Sequence, residues 1–390
     1  MGDGDKKFKI RKALTDKDGK RESENTINKD KDLSGRFCSR PFDFIEPHDL
    51  GVGKVFVCCP TWLNVQVGNL TEQSVYEAFN SEENQKIRKS ILDGSFKYCN
   101  HKHCPMIQND SLPKKEDILN KKDFDPDTAR HQHIIKNNIT KDLRPILYNL
   151  CYDESCNLAC PSCRVNKLNI NEGEKYERKL LIQSKIVEEV FGESHNRVCR
   201  VSITGSGDPF GSKIFRELLF SIDGSKYPNV KINLQTNGVM FTEKYWNKMS
   251  RIHDNIDTVL LSLDAGTEEA YKFTRRGGNW KVLMKNLEFI SKLRRHNKIK
   301  YLRLDFVVQQ KNYKEMVEFI NIGKKFKVDS CYFSLVADWG TWSIDEYKGH
   351  AIWKTDHPEF DDFIEILKNP IFNDPIVDLG NLTEYKNNAK

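Results

Sequence analysis

From residue 144 onward, short apolar runs alternate with longer segments of helical period. Runs at 145–150, 200–204, 230–235, 258–263, 302–308 and 330–336 read as strands, and 179–191, 213–220, 242–252, 279–294 and 313–326 read as helices. Strict alternation of this kind predicts a parallel β/α sheet. Six strands are too few to close an eight-stranded barrel. The expected fold is therefore α/β, an open partial (β/α)6 barrel over 144–337, with ligands at the carboxyl ends of its strands.

The pattern upstream is different. Residues 36–107 read as a small α+β module with a strand at 54–57 and helices at 71–78 and 81–92, opened by Thr71 and Ser81 and ended by Gly94. So few large aliphatic residues predict a thin core that needs a metal staple. Residues 108–143 read as a polar linker and 338–390 as a C-terminal extension with one helix near 359–367. The first 35 residues hold ten Lys/Arg, eight Asp/Glu and few apolar side chains, which predicts a disordered charged tail.

Composition narrows the classes. Hydrophobic residues are 38% and charged residues 30%, as in a globular chain. The 62 Lys+Arg against 56 Asp+Glu leave a net charge of +6, with the signs interspersed, so neither a nucleic-acid stripe nor a nucleic-acid partner is expected. No apolar run approaches the roughly 18 residues of a membrane span. The charged start has no apolar segment of secretory type, so a cytoplasmic, reducing location is expected. Disulfides then explain the eleven cysteines poorly; nine of them fall before residue 165. Clustered thiols in such a setting point to metal.

The first barrel strand runs into Cys156-Asn157-Leu158-Ala159-Cys160-Pro161-Ser162-Cys163. Three thiolates so close can surround one metal centre. Zinc or a structural cluster is one reading; an iron–sulfur cluster with one iron left open is the other. The spacing and its place resemble the radical S-adenosylmethionine (radical SAM) superfamily. That resemblance implies a [4Fe–4S] cluster on Cys156, Cys160 and Cys163 whose open iron binds S-adenosylmethionine, reductive cleavage to a 5′-deoxyadenosyl radical, and hydrogen abstraction from a substrate. Ser162 stands where the family usually has an aromatic residue or His.

Other strand ends fit the same resemblance. Gly205-Ser206-Gly207-Asp208 is similar to the family's glycine-rich turn that receives the cofactor's ammonium, with Ser206 in place of Gly and Asp208 in place of Glu. Asn237 lies in a Thr-Asn-Gly turn of the family's type. Ser262 and Asp264, at spacing two, would contact ribose and methionyl groups. Arg276, with Arg275 the competitor, would pair with the cofactor's carboxylate, and Gln310 would stand at the adenine wall. No catalytic side chain is singled out.

Cys38, fourteen residues, Gly53, four residues, Cys58, and then Cys99 to Cys104, resemble the SPASM or shortened twitch auxiliary-cluster domain. The resemblance implies one further [4Fe–4S] cluster on Cys38, Cys58, Cys99 and Cys104; zinc with His101 or His103 is the competing reading. The module precedes the barrel here, whereas in most relatives it follows. The expected activity is a radical SAM oxidoreductase or maturase-type enzyme, supplied with electrons by a flavodoxin- or ferredoxin-like donor. Its substrate would be a peptide or protein side chain, or a carbohydrate or other small molecule to oxidise or epimerise. Trp339 and Trp342, just past the sixth strand, could meet it. An iron–sulfur electron carrier or sensor is the alternative.

Overall fold

The computed structural model describes residues 31–122, 125–192 and 198–389. Ten strands form one mixed sheet: β1 (Phe44–Asp49), β2 (Gly53–Phe56), β3 (Gly68–Asn69), β4 (Leu147–Leu150), β5 (Cys199–Ile203), β6 (Val230–Thr236), β7 (Ile256–Ser262), β8 (Tyr301–Val308), β9 (Ser330–Leu335) and β10 (Val377–Asp378). Their order is β10-β9-β8-β7-β6-β5-β4-β1-β2-β3, so the sheet does not close. The six strands expected from the sequence are β4 to β9, consecutive and parallel.

The helices between them lay their apolar faces on the sheet. Lys213–Ser221, capped by Ser212, buries Ile214, Phe215, Leu218 and Leu219, and Met316–Phe326 buries Met316, Phe319 and Ile320. Residues alternating along each strand divide between this packed face and an inner face. Val201 and Ile203 on β5, and Ile232 and Leu234 on β6, are fully packed, whereas Ser202, Asn233 and Gln235 between them are not.

Both ends of the barrel sheet are longer than the sequence pattern suggests. β10 adds to β9 in parallel, so part of the C-terminal extension belongs to the sheet. At the other end β1 pairs in parallel with β4 and in antiparallel with β2. β1 was hidden by Glu46, Pro47 and Asp49, which break its apolar pattern. The N-terminal module and the barrel therefore share one sheet and one continuous core. The two helices expected in the module run Val75–Phe79 and Glu82–Leu92. The first starts later than expected because Ser74, not Thr71, makes the capping box with Glu77.

The segment expected as a linker is structured. Helices Lys115–Asn120 and Pro126–Asn137 lie there, and Leu112 and Ile134 are buried. Arg130 Nε and His131 Nε2 donate to the buried Asp43 carboxylate at 2.9 and 2.6 Å, which fixes this helix against the start of β1. Of the expected tail, residues 1–30 lie outside the described residues; Leu33 is buried, and Lys31 Nζ donates to the Ile107 carbonyl at 2.8 Å. Among the described residues no helix is long and apolar enough to cross a membrane.

Candidate functional site

Beyond β4 the chain enters a loop held from several sides. The buried Asp153 accepts from the Ser155 hydroxyl at 2.9 Å and from Ser212 Oγ at 2.5 Å, tying the loop to the helix after β5. The fully buried Lys179 ammonium bridges the Tyr152 carbonyl at 2.6 Å, Glu154 at 2.5 Å and, on β1, Asp49 at 3.1 Å. Cys156 N–H donates to the Leu168 carbonyl, and the Cys160 carbonyl accepts from the N–H groups of Cys163 and Arg164. That turn brings the second and third thiols of the triplet to one end of the loop.

Each of the three sulfurs meets a side-chain donor. Asn237 Nδ2 lies 3.7 Å from Cys156 Sγ, Arg275 Nη1 3.8 Å from Cys160 Sγ, and Arg164 Nη2 3.3 Å from Cys163 Sγ. Such donors favour thiolates, the form that ligates metal. Burial pushes the Cys156 thiol up to about 11, with Asp208 adding to it and Arg164 opposing. Burial raises Cys160 as well, and Arg275 opposes it.

Around this loop the expected strand-end residues sort into two groups. Gly207 is pressed against the loop: a Cβ there would lie 2.6 Å from the carbonyl oxygens of Asp153 and Ser155. Ser206 Oγ donates to the Cys151 carbonyl at 3.0 Å, and its own carbonyl accepts from Arg164 at 2.6 Å. Asp208 is buried. One of its oxygens accepts from Phe210 and Gly211 N–H, the other from Thr236 Oγ1 and Asn237 N–H, so it joins the second barrel turn to the third. Asn237 reaches Asn157 Oδ1 at 2.9 Å as well as Cys156. Asp264 leaves its strand with a φ of +54°, so the alternation that put it on one face with Ser262 ends before it. Its carboxylate pairs with Arg275 at 2.7 Å and accepts the Val307 N–H at 2.8 Å. Burial raises the Asp264 carboxyl, while Arg275 and Val307 oppose the rise.

The second group has other partners than the thiols. Arg276, expected at the cofactor's carboxylate, is exposed and donates to the Ala159 and Val165 carbonyls at 2.9 and 2.8 Å. It clamps the cysteine loop, and Arg275 is the guanidinium beside Cys160. Gln310 Nε2 donates to Glu359 of the C-terminal extension at 2.6 Å. Ser262 sits half-buried on β7, in register with Asp305 of β8. Arg164 was missed from the sequence, although an arginine directly after the third cysteine is a readable signal.

The other thiols converge in the N-terminal module. Cys38, Cys58, Cys99 and Cys104 line one pocket with Arg40, Trp62, Leu63 and Phe96. Asn100 N–H donates to the Trp62 carbonyl at 2.7 Å, and Cys104 N–H to the Asn100 carbonyl at 2.9 Å, which folds the Cys99–Cys104 turn back onto the loop after β2. Cys38 is pushed up to about 11 and Cys58 to about 12, chiefly by burial, with Cys104 contributing to both. Neither His101 nor His103 lines the pocket, and His101 Nε2 is turned to the Phe96 carbonyl. Four sulfurs in an apolar pocket suit a fully ligated cluster. Sulfurs around one tetrahedral zinc ion stand about 3.8 Å apart. Among the described residues, neither cysteine set brings three ligand atoms within 4.8 Å of one another, a spacing that suits a cluster better than a single ion.

Residues 154–321 match the radical SAM superfamily, and residues 49–105 match SPASM, an iron-sulfur cluster-binding domain. No match was found among curated proteins. Among solved structures, the chain is similar to Streptococcus suis SuiB bound to precursor peptide SuiA, at 16% identity and a TM-score of 0.41, over 90% of this chain and 73% of that one. TYW1 with a lysine-pyruvate adduct bound is similar at 15% identity and a TM-score of 0.34, over 59% and 71%. anSMEcpe with bound AdoMet and the Kp18Cys peptide is similar at 18% identity and a TM-score of 0.38, over 59% and 62%. Residues 154–321 thus form a radical SAM domain with a SPASM domain ahead of it, and [4Fe–4S] clusters and S-adenosylmethionine are the cofactors of this pair of domains.

Proposed function

We propose that this enzyme is an oxidoreductase or maturase that abstracts hydrogen from a peptide or protein side chain. Cys156, Cys160 and Cys163 hold the cluster that binds S-adenosylmethionine; Cys38, Cys58, Cys99 and Cys104 hold the auxiliary one. When bound, the three-cysteine cluster supplies the electron that cleaves S-adenosylmethionine to a 5′-deoxyadenosyl radical. The chain's own residues position that chemistry. Arg275, held by Asp264, presents a fixed positive charge beside Cys160 for the cofactor's carboxylate. The turn at Gly205–Asp208 offers backbone carbonyls close to the loop. Asp208 keeps the second and third turns in register, and Arg276 clamps the loop from outside. An external flavodoxin- or ferredoxin-like protein delivers the electron.

The observation that carries the site assignment is the donor at each of the three sulfurs. The peptide reading rests on the segment after β9, which leaves Trp339 59% and Ile344 74% exposed at the barrel mouth. Large apolar side chains reaching solvent there suit a substrate that extends beyond the barrel. The test is anaerobic turnover with peptides deuterated at candidate side chains. Deuterium recovered in 5′-deoxyadenosine supports the reading. Transfer from a sugar or other small molecule alone supports the small-molecule version. Absence of any cleavage of S-adenosylmethionine supports an electron carrier or sensor.

A further inference from the structure

Glu46, His48 and Cys151 belong to neither cysteine set, yet their ligand atoms lie within 4.8 Å of one another. They come from two adjacent parallel strands, β1 and the end of β4, where His48 bridges Cys151. Their direction follows from their neighbours. On β1, Asp49 turns outward to Arg178 and Lys179 of helix Glu174–Phe191; just past β4, Tyr152 turns outward to Gln183 of the same helix. Glu46 and His48, and likewise Asn149 and Cys151, alternate with these residues and so share the inner face.

The group is built as a site. Glu46 uses one carboxylate oxygen on His48 Nε2, at 2.8 Å, and the other on Asn149 Nδ2, at 2.8 Å. The ring of His48 is set edge-on to Phe56, with centroids 5.5 Å apart. Space for the thiol exists because residue 205 is glycine: a Cβ there would lie 2.4 Å from Cys151 Sγ. One carboxylate, one imidazole and one thiol, fixed from outside by an amide, make a donor set of mixed oxygen, nitrogen and sulfur. That set suits zinc, with bonds of about 2.0–2.3 Å and ligand atoms about 3.3–3.8 Å apart, within a small side-chain adjustment of what is seen here.

We propose that Glu46 Oε1, His48 Nε2 and Cys151 Sγ form a three-ligand zinc(II) site on the inner face, between the N-terminal module and the barrel. Binding forms three metal–ligand bonds in place of the Glu46–His48 hydrogen bond, shifts the neutral His48 ring proton from Nε2 to Nδ1, and releases the Cys151 thiol proton to solvent. Three protein ligands leave a fourth position for water or for a substrate oxygen or sulfur. The site does not depend on which substrate the enzyme takes. It gives the shared sheet a chemical role: the module supplies two ligands and the barrel one.

The test uses the full chain with both clusters loaded. It is incubated with zinc sulfate and desalted, and zinc and iron are counted by plasma mass spectrometry. The expected result is about one zinc per chain beyond the iron of the clusters. Cys151→Ser and His48→Gln each remove that zinc while iron content and cleavage of S-adenosylmethionine persist. Asn149→Leu weakens retention by about 10–100-fold. Cys199→Ser, on the neighbouring strand, leaves it unchanged. Cobalt(II) in place of zinc gives a thiolate charge-transfer band that Cys151→Ser abolishes. Wild-type protein that retains no zinc overturns the proposal, as does zinc that survives both ligand substitutions. Loss of iron or of cofactor cleavage in the wild type bears instead on the cluster assignment, so the two failures are distinguishable.

Discussion

Cys156, Cys160 and Cys163 come from eight consecutive residues at the mouth of the barrel, whereas Cys38, Cys58, Cys99 and Cys104 come from three segments as far as 66 residues apart. The first set is graded in exposure, from buried Cys160 to exposed Cys163, and every sulfur faces a polar donor. The second lines a largely apolar pocket beside Leu63, Ile91, Phe96, Ile107 and Leu112. On the proposed assignment, a local triplet would order little chain and leave one side of its cluster open to a ligand. A distant quartet would close long loops and enclose its metal, so its binding energy would go into holding the module together. The same element can thus serve as reagent holder in one place and as staple in the other.

The strongest way to break this comparison is to remove the local set. Replacing Cys156, Cys160 and Cys163 by Ala together should abolish cleavage of S-adenosylmethionine and remove about half the iron, with the rest retained in the N-terminal module. Iron analysis and 5′-deoxyadenosine assay check both. Next comes Cys99→Ala. It should remove the auxiliary iron, lower thermal stability and stop substrate turnover, while uncoupled cleavage to 5′-deoxyadenosine survives. Unchanged substrate turnover would show that the enclosed cluster is neither relay nor staple.

Two cations paired with buried carboxylates sharpen the contrast at smaller cost. Arg275→Ala leaves the buried Asp264 without its partner, a loss of about 3–5 kcal/mol by denaturant titration, and should weaken cofactor binding by calorimetry. Lys179→Met removes the cation joining Asp49 on β1 to Glu154 on the cysteine loop and should cost a similar amount, about 3–5 kcal/mol. The smallest effect belongs to Arg276→Ala. Its guanidinium is exposed and bonds only loop carbonyls among the described residues, so cofactor affinity should change little while iron is lost faster on dilution.

The barrel was legible because its strands are apolar runs bounded by turns and its helices keep a helical period. The cysteine triplet stands out in the sequence because its spacing is local. The joint between module and barrel was not. β1 carries Glu46, His48 and Asp49, whose polarity is explained only by partners on β4, at Asn149, and on a helix 129 residues onward, at Arg178. The segment at 108–143 read as a linker because its ordering rests on contacts such as Arg130 and His131 with Asp43, which no periodicity reveals. Arg275 and Arg276 differ by one position, and only the fold decides which guanidinium turns inward. Asp264 shows why strand-period reasoning stops at a strand end: its left-handed backbone redirects the side chain toward Arg275.

The measurement that bears most directly on the open and enclosed clusters is paramagnetic resonance of the reduced holoenzyme, with and without S-adenosylmethionine, in wild type and in Cys99→Ala. The wild type should show two cluster signals, only one of them shifted by the cofactor, and Cys99→Ala should keep that cofactor-sensitive signal while losing the other. A cofactor-induced shift of the signal that Cys99→Ala removes would contradict the assignment of the open cluster to Cys156, Cys160 and Cys163.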